Sequence, residues 1–276
     1  MSLQARLQHR IQQHGWERAS AAYQFLWQSQ LSKAHQRLLA LAEPGWAERV
    51  LDVGCGTGVI ALAAADKVGP SGRVAGLDES PERLQAAQAH ALALALSNVR
   101  FQNTEEGPLP CSDSSVDLLY CALGLPSMAE PLHGLRDMHR AIRPGGRIAL
   151  MVWGERAHCA WSSAYSLFQV EMGTEREPAA FGYSSAGALA GLCRQAGFIV
   201  LHEERLDTFM HYDSEHEACQ AAFAELGPRW PGLHPRMRAR IESRYARAIA
   251  PWRTRQGYRM PAQFVLLVAR KSDSIF

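Results

Sequence analysis

Residues 50–58 read Val50-Leu51-Asp52-Val53-Gly54-Cys55-Gly56-Thr57-Gly58, an apolar run ending in three glycines at alternate positions. Glycine lets the backbone turn sharply and lets a ligand lie against bare main chain. The Ala-rich stretch Val59 to Lys67 that follows reads as a helix, and its first N–H groups lack partners inside the helix. A buried strand, a glycine loop and a helix in that order make a cradle for a nucleotide, or for a ligand with a carboxylate and a ribose. The spacing is G-x-G-x-G. The dinucleotide fingerprint G-x-G-x-x-G needs glycine at position 59, which is Val59, and no Lys-Ser/Thr follows to make a P-loop.

Working outward, Gly72 to Leu77 reads as a second strand that ends in Leu77-Asp78, twenty residues beyond Gly58. A carboxylate at that place can accept hydrogen bonds from both hydroxyls of a ribose, each charge-assisted bond contributing about 1.5–3 kcal/mol. Further on, Pro81 to Leu96 is expected to be a helix and Asn98 to Phe101 a short strand. Val116 to Cys121 reads as another strand and Met128 to Ile142 as a helix. Pro144-Gly145-Gly146 breaks the chain before the apolar strand Arg147 to Trp153. Strands alternating with helices at this spacing predict a mostly parallel sheet of the α/β class, covered on both faces.

The ends differ in texture. Residues 1–45 read as a helical cap, with Trp16, Ala19, Tyr23 and Trp27 at helical spacing and a second helix from Ser32 to Glu43 stopped by Pro44. In the last third, Ser184 to Ala196 is expected to be a helix closed by Gly197, and Phe198 to His202 a strand. Ser214-Glu215-His216-Glu217 is a capping box opening a helix to Leu226, and Arg236 to Ala250 is an amphipathic helix stopped by Pro251. Gln263 to Ala269 is the final strand. The expected architecture is therefore a seven-stranded Rossmann-like sheet over residues 46–276, with residues 213–256 a two-helix insertion before the last strand.

With 276 residues, 47% of them hydrophobic and 20% charged, the chain can bury a sizeable core. Its 29 basic and 27 acidic side chains leave a formal charge of +2, which argues against a whole-protein grip on nucleic acid or membrane. No run of 18 apolar residues occurs, and MSLQARLQHRIQQHGWERAS lacks the apolar stretch of a secretory signal, so a cytoplasmic location is expected. The six cysteines and eleven histidines are scattered without zinc-type spacing. Free thiols and no metal site are expected.

Three segments in order, LDVGCGTG, GLDESPERL and RPGGRIALMVWG, resemble the motifs of class I S-adenosylmethionine-dependent methyltransferases. The chain is similar in particular to the small-molecule branch that includes the ubiquinone and menaquinone biosynthesis enzymes. The resemblance covers residues 46–155 well. It implies S-adenosylmethionine (SAM) as cofactor, with Gly54, Cys55, Gly56 and Gly58 lining its methionine and ribose and Asp52 meeting its amino group. Asp78 would bind the ribose, with Glu79 and Ser80 beside it and Cys121 nearby. Where the family places an aspartate after the third strand to meet the adenine amine, this chain has Asn103-Thr104-Glu105-Glu106. Thr104 and Glu105 take that place as a departure from the pattern.

Ligands of an open α/β sheet bind outside the carboxyl ends of its strands. That rule points to the loops Tyr120 to Ser127 and Trp153 to Trp161. Methyl transfer from a sulfonium asks chiefly for alignment, and positioning alone supplies about 7–11 kcal/mol. The candidate bases are His158, just past the fifth strand, and His133, at the start of the next helix; Tyr120 could orient a substrate. Tyr23 and Trp27 on the cap could stack on the cofactor or substrate, Trp153 could face an apolar ring, and Arg244 could meet an acidic substrate group.

From Arg229 to Arg259 there are nine arginines and one acid, Glu242. The expected activity is methylation of a small, apolar or aromatic molecule, at oxygen first, then nitrogen or carbon, with nucleic acid not expected as a partner. The alternatives are an RNA or protein methyltransferase that docks through the basic insertion, and a SAM-binding regulatory protein without turnover. No residue pattern fixes the oligomeric state.

Overall fold

The computed structural model describes residues 30–104, 107–173, 178–224, 226 and 230–273. Tyr23, Trp27 and Glu105 lie outside the described residues. The chain forms helix α1 over residues 30–41, then β1 (Arg49–Val53), α2 (Val59–Val68), β2 (Arg73–Asp78), α3 (Pro81–Ala93) and β3 (Val99–Asn103). β4 (Val116–Ala122), α4 (Pro131–Ala141), β5 (Ile142–Trp153) and α5 (Ser163–Met172) follow. The last third holds α6 (Ala188–Gln195), β6 (Phe198–Tyr212), α7 (Glu215–Ala224), α8 (Pro235–Ile249), β7 (Arg253–Thr254) and β8 (Gly257–Lys271).

The strands lie in the order β3-β2-β1-β4-β5-β8-β6, and the two-residue β7 pairs with β8. β3 through β5 are parallel, whereas β8 runs antiparallel to both of its neighbours. The main path thus has the seven strands expected, and β7 is an eighth that the sequence did not announce. One face packs α1, α2, α5, α7 and α8 in a core that includes Leu38, Ile60, Tyr120, Trp161 and Tyr245. The other packs α4 and α6 on Leu119, Cys121, Leu150 and Leu267. Strands buried on both faces by helices explain the unbroken apolar run from Ile148 to Trp153.

Local signals set most boundaries. Pro81 and Pro131 begin α3 and α4, where a missing N–H costs nothing, and the Ser80 hydroxyl accepts from Arg83 N. The capping box forms: Glu217 N donates to Ser214 Oγ at 3.1 Å and the Glu217 carboxylate accepts from Asp213 N at 2.9 Å. The Pro144-Gly145-Gly146 break survives as a bulge inside β5. Pairing with β4 jumps from Ile142 to Arg147, and Gly145 takes a φ of 71°.

The largest departure is the length of β6 and β8. β6 was expected to end at His202 and instead runs to Tyr212, while β8 begins at Gly257 rather than Gln263. The six pairs from Asp207↔Gln263 to Tyr212↔Tyr258 continue past Trp153, the last residue of β5. At about 3.3 Å per residue, the ribbon projects some ~20 Å beyond the carboxyl end of the parallel strands. Its alternation is masked by charges that find partners: Glu203 accepts from Gly187 N and Ala190 N, Glu204 pairs with Arg37, and Arg205 donates to Gln263.

Candidate functional site

The switch in winding direction lies between β1 and β4, and the glycine loop opens there. Gly54, Gly56 and Gly58 have φ of 72°, 54° and 82°, a left-handed region that side chains with a Cβ rarely occupy. The loop is fastened from the neighbouring strand: Gly54 N and Cys55 N both donate to Leu77 O, at 2.8 and 2.9 Å. A Cβ on Gly58 would sit 2.8 Å from the Phe101 ring, whereas one on Gly56 would meet nothing within 4 Å. The loop is therefore packed from behind by Phe101 and open at Gly56.

Two buried carboxylates bracket this loop. Asp52, at 2% exposure, accepts from Ala61 N through Oδ2 at 3.1 Å. Among the described residues its Oδ1 takes no hydrogen bond. Burial pushes this carboxyl up to about 7, with the charge of Asp78 adding to the rise and the Ala61 N–H opposing it. Asp78 ends β2. Its Oδ2 accepts from Gly56 N at 2.8 Å, and its Oδ1 accepts from Ser80 N at 2.9 Å and pairs with Arg83 Nη2 at 3.2 Å. Arg83 was not among the residues singled out in the sequence. Only the three-residue offset from Ser80 into a helix that folds back could have pointed to it.

The other residues expected near a cofactor divide. Thr104 N donates to Asp78 O at 3.1 Å, and Asn103 Nδ2 donates to the carbonyls of Asp78 and Glu79, so the end of β3 is tied to the end of β2. Cys55 and Cys121 are buried thiols; burial pushes Cys121 up to about 12 and raises Cys55 well above its ordinary value. Such thiols stay protonated and act as apolar filling.

Two expectations need correcting. Tyr120 does not face the crevice. It is fully buried on the α1 side of the sheet and its hydroxyl donates to Ala42 O, so it fastens α1 to β4. Arg244 does not reach inward for a substrate. Its Nη1 lies 3.2 Å from Glu171 Oε1, and Arg240 pairs with the same carboxylate, so these arginines clip α8 to α5. The apolar stripe of α8 is instead Ile241, Tyr245 and Ile249.

Beyond β5, Trp153 stacks on Phe264 with centroids 4.6 Å apart and meets Trp161 at 4.9 Å; Trp161 in turn meets Phe181 at 5.4 Å. The loop that follows is pinned by the buried Gln263. Its Oε1 accepts from Glu155 N at 3.1 Å and from Arg205 Nη1 at 2.9 Å, and its Nε2 donates to Asp207 at 2.8 Å. His158 stands half-exposed on this loop, its Nε2 4.0 Å from Glu155 Oε2, and His133 is exposed on α4. The structure does not bring the two histidines into a shared contact. Leu123, directly after β4, takes a φ of 62°, and Gly124 lies against the glycine loop, its Cα 3.5 Å from where a Gly54 Cβ would be. Among the described residues no three His, Cys, Asp or Glu side chains gather in a way that could hold a metal ion. Among them, too, no helix is long and apolar enough to cross a membrane.

A family model described as a methyltransferase domain matches residues 46–172, from just before β1 to the end of α5. The demethylmenaquinone methyltransferase of Bacillus cytotoxicus is 31% identical over 126 residues, which is 46% of this chain and 52% of that protein. The arsenite methyltransferase of Halobacterium salinarum is 35% identical over 120 residues, 44% of this chain and 30% of that one. The matches thus span about half the length of these relatives, or less. Among solved structures, a SAM-dependent methyltransferase from Aquifex aeolicus superimposes with a TM-score of 0.53 at 23% identity, covering 67% of this chain and 90% of that one.

Proposed function

We propose that this chain, whose residues 46–172 match a methyltransferase domain, binds SAM and transfers a methyl group to a small apolar or aromatic molecule. The observation that carries the reading is the pair of buried carboxylates, Asp52 and Asp78, on either side of a loop of three left-handed glycines. The residues fit the cofactor. An open floor at Gly56 leaves room against the main chain, and the spare Oδ1 of Asp52 is a buried acceptor suited to an ammonium. Asp78 Oδ2, with one donor so far, has an acceptor position left for a ribose hydroxyl.

When bound, the cofactor supplies an electrophilic methyl on a sulfonium. The protein's part is then to align an acceptor and keep water out. Trp153, Trp161 and Phe264 form a buried aromatic cluster beside the end of β5, apolar surroundings that suit an apolar acceptor. Residues 213–256, on the ribbon that projects past the strand ends, serve as the cover, and residues 1–45 as the cap. His158, on the loop that follows β5 and 4.0 Å from Glu155, is the proposed base. Oxygen is the favoured acceptor, because a neutral imidazole suffices to remove a hydroxyl proton as the methyl arrives.

The test uses methyl-labelled SAM with the purified protein and a small-molecule extract, counting label in organic, protein and nucleic-acid fractions. Label in the organic fraction is the expected result. Label confined to macromolecules overturns the small-molecule reading in favour of an RNA or protein methyltransferase. Tight SAM binding without any labelled product, across extracts of several sources, overturns the activity in favour of a regulatory SAM-binding protein.

A further inference from the structure

The segment from Arg229 to Arg259 carries nine arginines, no lysine and one acid, a formal +8 against +2 for the whole chain. The remainder therefore carries −6, so the molecule is strongly polarised. In α8, Arg236, Arg240 and Arg247 fall within about 40° of one another, on the side opposite Tyr245. Arg253 and Arg255 continue the exposed surface through β7 and its turn. Glu171 is one carboxylate shared by Arg240 and Arg244. Among the described residues, no carboxylate pairs with Arg236, Arg247, Arg253 or Arg255. Trp230 stacks on Phe223 and Trp252 packs on the core, so the arginines alone make up the exposed face.

From this we infer that the outer face of α8 and the β7 turn is a docking surface for an anionic phospholipid bilayer. Guanidinium groups grip phosphate oxygens in pairs. Arg236, Arg240 and Arg247 share one side of α8, which suits a plane of charge. A nucleic-acid substrate would need the positive charge to lead down to the methyl donor. It does not: residues 122–133 hold no arginine or lysine and one glutamate, Glu130, and the floor beyond is Asp52 and Asp78.

The placement gives the surface a use. α7 packs on the ribbon of β6 and β8, which projects past the carboxyl ends of the parallel strands, and α8 packs on α5 and α7. A molecule held by this face is held at the bilayer. There an apolar acceptor, partitioned into the bilayer, is concentrated. This use rests on the proposed small-molecule activity, whereas the docking itself does not.

The experiment is co-sedimentation of the full chain with vesicles of phosphatidylcholine alone and with about 30% phosphatidylglycerol, at low salt and at about 0.5 M salt. The expected result is binding to the anionic vesicles only, lost at high salt. The combined variant Arg236→Gln, Arg247→Gln, Arg253→Gln, Arg255→Gln should bind at least about tenfold more weakly. Its melting temperature and its affinity for S-adenosylhomocysteine should match the wild type, which separates loss of docking from loss of fold. Equal binding to neutral vesicles, no binding to anionic ones, or an unaffected variant overturns the inference. So does tighter binding to a structureless RNA than to anionic vesicles at matched salt, which would make the face a nucleic-acid surface. Failure of vesicle binding leaves methyl transfer in solution untouched, so the two readings fall separately.

Discussion

Gly56 donates its backbone N–H to Asp78 Oδ2 at 2.8 Å, so the glycine loop and the carboxylate that ends β2 form one unit. The same carboxylate holds Ser80 N and Arg83 through its other oxygen. Replacing Asp78 by alanine removes a ligand acceptor and also releases the loop from its neighbour. Affinity for S-adenosylhomocysteine, measured by calorimetry, should fall by roughly tenfold or more, since a charge-assisted bond is worth about 1.5–3 kcal/mol. Unchanged affinity would remove Asp78 from the cofactor site.

Asp52 makes stability depend on pH in an unusual direction. Its carboxyl, held at about 7 by burial, has an ordinary value of 3.8, so the unfolded chain sheds this proton first. Stability contributed at this position is therefore full below about 4, falls as pH rises, and stays low above about 7. A rise of that size corresponds to roughly 4 kcal/mol at most. Asp52→Asn should melt higher than the wild type at pH 8, by less at pH 5, and nearly level with it only below about pH 4, by calorimetric scanning. A cationic ligand sees the reverse. Wild-type affinity for S-adenosylhomocysteine should rise by about tenfold from pH 6 to pH 8, and the variant's should not.

At Gly58 two independent constraints meet, a φ of 82° and the Phe101 ring 2.8 Å from any added Cβ. Gly58→Ala should cost about 1–3 kcal/mol in denaturant unfolding. Adding Phe101→Leu should recover only the part due to the ring contact, because the backbone strain remains. Full recovery would show that φ carries no cost there.

Tyr120→Phe separates packing from chemistry. The hydroxyl holds Ala42 O in a buried setting, and its loss should lower stability by about 1–2 kcal/mol. Turnover, measured well below the melting temperature, should stay within about twofold. A hundredfold fall in kcat with intact stability would restore Tyr120 to the site.

The half of the chain from Val50 to Trp153 is legible because each of its signals is local. Glycines 54, 56 and 58 announce the loop, Asp78 stands at the end of an apolar run, and Pro81 and Pro131 start helices. The β6–β8 ribbon is not legible in this way. His202 to Asp207 shows no strand alternation, since both faces carry charges. What makes it a strand is distant: Glu203 caps α6, Glu204 meets Arg37 and Asp207 meets Gln263. Arg244 was misplaced for a related reason. Helical spacing puts it on the stripe of Met237 and Ala248, and only the position of α5, seventy-three residues earlier at Glu171, decides which way it turns.

The sheet order also says when this protein can finish folding. β8, at Gly257–Lys271, is an interior strand, hydrogen-bonded to β5 on one side and to β6 on the other. Until that segment leaves the ribosome, the apolar edge of β5 from Ile148 to Val152 has no partner and β6 is not anchored to the sheet at all. Closure waits for pairings across more than a hundred residues of sequence, such as Ile148 with Ala269. Such pairings are slow to form and leave sticky intermediates. Early termination ahead of Gly257 should therefore yield aggregates captured by chaperones rather than a smaller folded protein.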